Sequence, residues 1–202
     1  MDRKEHWETI YATKAVTDVS WFEADPRISL DLIERASPSH GRVIDVGGGA
    51  SLLVDHLLDR GFAKVAVLDI AAGALERAQA RLGARAHHVE WIVGDVTAVQ
   101  SLGEFDVWHD RAVFHFLTEP RDRRKYVELA SRTVPVGGHL ILGAFAVDGP
   151  LKCSGLEVCQ YDSQRLMNEL GTGFKLVQER AHLHLTPGGK PQQFFFGLFR
   201  RV

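Results

Sequence analysis

Three acids at the ends of three successive apolar runs are the residues best placed to do chemistry. Asp45 follows Val43 and Ile44, and after Val46 the chain runs into Gly47, Gly48 and Gly49. A helix-like pattern opens at Ser51. A strand, a glycine turn and a helix start in that order open a nucleotide-binding βα unit. A dinucleotide fingerprint would need a third glycine at position 52, which is Leu. A carboxylate two residues before the turn repels a pyrophosphate and attracts a cationic amine. The second run, Val65 to Leu68, ends at Asp69, 20 residues past Gly49. At that spacing a carboxylate accepts hydrogen bonds from ribose hydroxyls. The third run, Val89 to Val93, leads to Gly94-Asp95-Val96. There the acid suits an adenine amino group, and Val96 offers a backbone N–H and apolar cover.

Positioning these acids requires alternating strands and helices. Leu52, Leu53, Leu57 and Leu58 form a helical stripe that stops before Gly61, and a second helix spans Ala71 to Leu82 and closes at Gly83. A fourth strand over Phe105 to Trp108 leads to His109, Asp110 and Arg111. Thr118-Glu119-Pro120 starts another helix, and a fifth strand covers His139 to Val147. This alternation predicts a parallel sheet wound by crossovers. The tail differs: Asp162 caps a short helix ending at Gly171. Phe174 to Leu185 and Gln193 to Arg201 then read as two strands around the turn at 186–190. Ahead of the first strand, Asp25-Pro26 reads as an N-cap with proline at N1.

The pattern D-x-G-x-G at 45–49 resembles motif I of the class I S-adenosylmethionine (SAM)-dependent methyltransferases, whose cofactor carries an ammonium and a sulfonium but no phosphate. Five βα-type strands followed by an antiparallel hairpin extend the resemblance over nearly the whole chain. The opening W-x-x-x-Y at 7–11 and W-F-x-x-x-P at 21–26 look most like the small bacterial enzymes near the thiopurine and tellurite-resistance types. The resemblance implies an α/β fold, a seven-stranded Rossmann-like sheet with helices on both faces. It implies a single domain over 1–202, with residues 1–35 as an N-terminal flap and helix.

Carried over by position, the resemblance places Asp45, Gly47 and Gly49 at the methionine end of SAM. Asp69 and Ile70 hold its ribose, Asp95 and Val96 its adenine, and His109 and Asp110 lie at the fourth strand end. Trp7, Tyr11 and Trp21 form a flap whose aromatic faces approach the sulfonium. Asp110, Arg111 and His115 are the candidate catalytic residues, since Arg111 and His115 are placed to orient or deprotonate a substrate. No Asn-Pro-Pro-Tyr motif follows the fourth strand, where adenine and glutamine methyltransferases would place it. The reaction implied is in-line methyl transfer to a small-molecule nucleophile, such as a thiol or another soft atom. Two alternatives stand beside it. Asp110-Arg111-Ala112 loosely resembles the Asp-Lys-Gly start of protein-lysine methyltransferases, and the chain could equally be a SAM-binding protein without catalysis.

Composition narrows the rest. The 202 residues are 45% hydrophobic and 25% charged, with a formal net charge of −2. That balance gives no general attraction for nucleic acid or an anionic membrane. Two cysteines, Cys153 and Cys159, form no disulfide framework and no C-x-x-C spacing, so no metal is expected. His182 and His184 alternate on a strand and share one face, and are expected to be polar-face residues. The amino terminus lacks the apolar run of a signal peptide, and no apolar stretch is long enough to span a bilayer, so the expected location is cytoplasmic.

Overall fold

The computed structural model describes residues 2–202. In chain order its elements are α1 (Arg3–Thr13), α2 (Arg27–Ala36), β1 (Val43–Val46), α3 (Leu53–Asp59), β2 (Val65–Asp69), α4 (Ala72–Leu82), β3 (Val89–Val93) and β4 (Val107–Arg111). They continue as α5 (Pro120–Thr133), β5 (His139–Phe145), the two-residue strands β6 (Lys152–Cys153) and β7 (Leu156–Glu157), α6 (Ser163–Leu170), β8 (Phe174–Leu185) and β9 (Pro191–Arg201). Seven strands form one sheet in the order β3-β2-β1-β4-β5-β9-β8. The first five are parallel, and β9 and β8 are antiparallel. Strands β6 and β7 form a separate small hairpin.

Strand alternation sorts the core into two layers. Val43, Val65, Val67, Val107 and Ile141 pack with Leu30, Ile33, Leu57 and Leu75 of α2, α3 and α4. On the opposite face, Ile44, Ala66, Trp108, Leu140 and Leu142 pack with Tyr126 and Leu129 of α5 and Leu166 of α6. Strands β1 and β2 are buried throughout, as expected of parallel strands covered on both faces. The expected seven-stranded sheet with its C-terminal hairpin is therefore present. At the centre, β1 pairs with both β2 and β4, so the chain crosses to opposite sides of β1. A crevice opens at the carboxyl ends of the strands at such a switch point.

Several boundaries differ from expectation. The fourth strand starts at Val107 and includes His109, Asp110 and Arg111, so these residues belong to the sheet. The hydrogen bond from the Phe105 N–H to the Thr133 carbonyl ties that residue to the end of α5, outside the ladder. Asp25 does not cap α2: Pro26 holds the N-cap position with no side-chain bond, and Asp25 pairs with Arg27 at 3.3 Å. Asp162 does cap α6, accepting from the Arg165 N–H at 2.8 Å. Residues 3–13, within the expected N-terminal flap and helix, form helix α1. Among the described residues no helix is long and apolar enough to cross a membrane.

One polar chain crosses the second core layer. Trp108 Nε1 donates to Tyr126 Oη at 2.8 Å, and Tyr126 donates to Asp110 Oδ2 at 2.6 Å. All three residues are buried. Tyr126→Phe would strip Trp108 of its acceptor and Asp110 of a donor. The expected loss is about 1–3 kcal/mol, read from urea unfolding at an unchanged m-value. Undiminished stability would show that the chain contributes nothing.

Candidate functional site

The switch-point crevice is an open cleft of about 870 Å³ including its mouth. The strand ends supply its floor: Val46 and Gly47 after β1, Leu68, Asp69 and Ile70 at β2, Gly94, Asp95 and Val96 after β3, and Arg111 to Val113 after β4. Trp7, Tyr11 and Trp21 form its roof, with Phe116, Cys153 and Phe194 at the far wall. Eight of the residues expected from sequence, Gly47, Asp69, Ile70, Asp95, Val96, Trp7, Tyr11 and Trp21, thus meet in one cavity, together with Arg111.

The roof is built by α1 bridging the cleft. Arg3 pairs with Asp122 and lies 3.9 Å from Asp95. Glu8 accepts from the N–H groups of Ala72 at 2.8 Å and Gly73 at 3.3 Å, placing a negative charge at the positive end of α4. Between these anchors Trp7 meets Phe116 and Trp21 edge-on, with ring centroids 5.0 and 5.7 Å apart. Tyr11 is buried and meets Trp21 at 6.3 Å. Gly49 explains the closeness of this packing. It adopts φ +46°, and a Cβ there would come within 2.6 Å of Tyr11 Oη and 2.9 Å of Asp69 Oδ2. Gly47, at φ +70°, would drive a side chain into Val113.

Asp45 and His109 lie under the cleft floor. Their side chains meet at 2.7 Å, and His109 Nε2 lies 2.9 Å from Ser29 Oγ of α2. Both are buried. The Asp45 carboxylate sits beneath the Gly48 backbone, which has no side chain to displace it. These residues support the glycine turn from below and lie outside the cleft lining.

Asp110 and His115 also lie outside the cleft lining. Asp110 accepts from the N–H groups of Val113 at 2.9 Å and Phe114 at 3.0 Å, as well as from Tyr126. It fastens the turn that carries Arg111, Ala112 and Val113 into the cleft. Ala112 holds φ +71° there, a left-handed conformation that glycine adopts more cheaply. Burial, only partly offset by the Tyr126 bond, raises the Asp110 carboxyl to about 6. His115 is fully buried between Phe116 and Phe145. Burial and the Arg111 charge push its pKa down to about 3, so it stays neutral. Neither side chain is positioned to touch a substrate.

Arg111 reaches the cleft while tied to the strap between α1 and α2. It donates to the Trp21 carbonyl and pairs with Glu23 Oε2 at 3.1 Å. Burial opposes ionisation of Glu23, but the His184 hydrogen bond and the Arg111 charge hold its carboxyl down at about 2. Sequence reasoning missed Glu23, Arg3 and Glu8. Each acts through a partner more than 60 positions away, which no local pattern discloses.

Residues 43–138 match the protein family described as "Methyltransferase domain". Over that stretch, just under half of its length, the chain carries a methyltransferase domain. The methyltransferase is similar to human "EEF1A lysine methyltransferase 2", at 22% identity over 93% of this chain and 80% of that one. A structure described under "Conversion of a Disulfide Bond into a Thioacetal Group during Echinomycin Biosynthesis" superposes with a TM-score of 0.80. It is 19% identical and covers 99% of this chain and 92% of its own. The N-methyltransferase NodS from Bradyrhizobium japonicum WM9, in complex with S-adenosylhomocysteine, gives a TM-score of 0.74 at 15% identity over 99% of both chains.

Asp69 is the acid most altered by this methyltransferase's fold. Burial, with the Asp45 and Glu8 charges nearby, raises its carboxyl from the ordinary 3.8 to about 7. The folded value exceeds the unfolded one, so the fold disfavours the ionised form. That cost is absent below about pH 4, grows as pH rises through 7, and then levels off. Asp69→Asn removes it. Relative to wild type, the variant's stability should improve by up to about 1.4 kcal/mol per pH unit between pH 5 and 7. Urea midpoints across that range test this; a pH-independent difference contradicts a buried, uncompensated carboxylate.

Proposed function

We propose that the cleft holds SAM across the strand ends and transfers its methyl group to a small-molecule acceptor of soft nucleophilic character. The observation that carries the reading is the aromatic roof closed over a floor of strand-end acids. The cavity fits the cofactor. Gly47 brings backbone to the surface without a side chain. Asp69 is buried, with Oδ1 accepting from the Ala71 N–H at 2.8 Å and the Ile70 N–H also bonding its carboxylate. In this reading the carboxylate accepts from the ribose hydroxyls. Asp95 spends Oδ1 on Thr97 and keeps Oδ2 toward Arg3 and the cleft. With Val96 and Leu117 beside it, this end suits a purine ring.

Bound SAM supplies a methyl group on a sulfonium, activated for displacement. The chain's own residues align the acceptor with that methyl and exclude water. Trp7, Trp21, Phe116 and Phe194 enclose the reacting end. The ionisable residues lining the cleft are Arg3, Tyr11, Asp69, Asp95, Arg111 and Cys153. Those at the far wall offer no free base: Arg111 is a cation committed to Glu23, and burial raises the Cys153 thiol. Tyr11 is likewise held above its ordinary value by burial and Asp69. An acceptor that needs no enzymatic deprotonation, a thiolate above all, meets this environment best.

A protein-lysine acceptor is the second reading. Its support is the glycine-like φ of Ala112 at the position where Asp-Lys-Gly would place glycine, together with the human relative. Incubation with methyl-labelled SAM separates the two: label entering a metabolite extract supports the first, and label entering only a protein extract overturns it.

If ribose hydroxyls donate to Asp69, binding favours its ionised form. Affinity for S-adenosylhomocysteine should then fall as pH drops below about 7, by up to about tenfold per unit, and be flat above it. Asp69→Ala should weaken binding about 10- to 100-fold at pH 8, as expected for bonds to a charged acceptor. It should also abolish the pH dependence. Calorimetry on the variant and wild type checks both; unchanged affinity in a folded variant would remove Asp69 from the site.

A further inference from the structure

Glu23, His182 and His184 present one oxygen and two ring nitrogens, all within 4.8 Å of one another, where the strap meets β8. Glu23 Oε1 lies 3.2 Å from His182 Nε2 and 3.2 Å from His184 Nδ1. Strand alternation brings the two imidazoles to the same face of β8, and the strap delivers the carboxylate from across 159 residues of sequence.

The bonding of His184 determines what that oxygen faces. Its Nε2 lies 2.7 Å from the Ser20 carbonyl, an acceptor only, so Nε2 carries the ring hydrogen. In the neutral ring, Nδ1 then points a lone pair at an anionic oxygen. That contact becomes attractive with a cation between them, either a proton on Nδ1, which makes the hydrogen bond to Glu23 described above, or a metal ion. At 3.2 Å each contact lies at the long end of the hydrogen-bond range, and the spacing also suits a metal ion. Charge-assisted N–H···O bonds cluster at about 2.7–2.9 Å, shorter than either contact. A tetrahedral ion bound at about 2.0–2.1 Å separates its ligand atoms by about 3.3 Å, close to both. The other Glu23 oxygen is ion-paired with Arg111 at 3.1 Å, and such outer partners commonly fix a ligating carboxylate.

We propose that Glu23, His182 and His184 form a binding site for a divalent transition metal, with the two-imidazole, one-carboxylate donor set that suits Zn2+. The ion joins the strap to the C-terminal hairpin. Because Glu23 also holds Arg111, and Arg111 holds the Trp21 carbonyl, the joint anchors part of the cleft roof. The expectation of no metal, drawn from cysteine spacing, took no account of ligands brought together by folding.

The test is titration of Zn2+ into the chelator-treated full chain, with unfolding temperature as a second readout. Wild type should take up one ion per chain with submicromolar affinity and melt at a higher temperature. His182→Ala, at a partly exposed position, should weaken uptake at least 100-fold, and Glu23→Gln likewise. Cys153→Ser should leave it unchanged. Co2+ in place of Zn2+ should give the visible absorption of a tetrahedral site, lost when Zn2+ is added; this readout needs no variant. Absence of stoichiometric binding would overturn the proposal. So would uptake that persists in His182→Ala, or that depends on Cys153.

Discussion

Burial of the Asp69 carboxylate beneath Tyr11 is the constraint around which the rest of this site is arranged. A charge taken from water must be compensated or it destabilises the fold. Here the Ala71 and Ile70 N–H groups bond the carboxylate, while Asp45 and Glu8 add further negative charge. The protein maintains that tension because α1 is fastened at both ends, by Arg3 at the β3 side and Glu8 at the start of α4. Beyond Glu8 on the same helix, Tyr11 closes over the acid, in a space that exists only because position 49 is glycine. On the proposed reading, a ligand with paired hydroxyls would relieve the imbalance, so the strain that costs stability would also favour recognition.

The same logic separates residues that touch a ligand from residues that hold those residues. Asp45 and His109 support the glycine turn from below, and Asp110 fastens the turn after β4 through two backbone N–H groups. Arg111 reaches into the cleft but is bound to Glu23 and the Trp21 carbonyl. It joins strand, strap and hairpin. The reacting end is left with aromatic walls and no spare base, which narrows the acceptors it serves well.

The strand-end acids were legible in the sequence because each sits at a fixed offset from an apolar run, and a parallel sheet aligns such ends by construction. Gly47 and Gly49 were legible because positive φ selects their residue type. The depth of Asp45, His109, Asp110 and His115 was not. Strand position names which end of the sheet a residue occupies, but the face it points to depends on register and on which helix covers that face. The fourth strand shows this: its extension to Arg111 puts His109 against α2 and Asp110 against α5. Glu23 with His182 and His184 was illegible for a different reason, since its members meet only after the strap and hairpin have docked.

The most direct test of this account is a crystal structure of the protein with S-adenosylhomocysteine. The account requires the ribose hydroxyls within hydrogen-bonding distance of the Asp69 carboxylate, the purine beside Asp95 and Val96, and Trp7 and Tyr11 closed above the ligand. A ligand bound elsewhere would contradict it, as would one seated on the strand ends with α1 swung away and Asp69 unbonded.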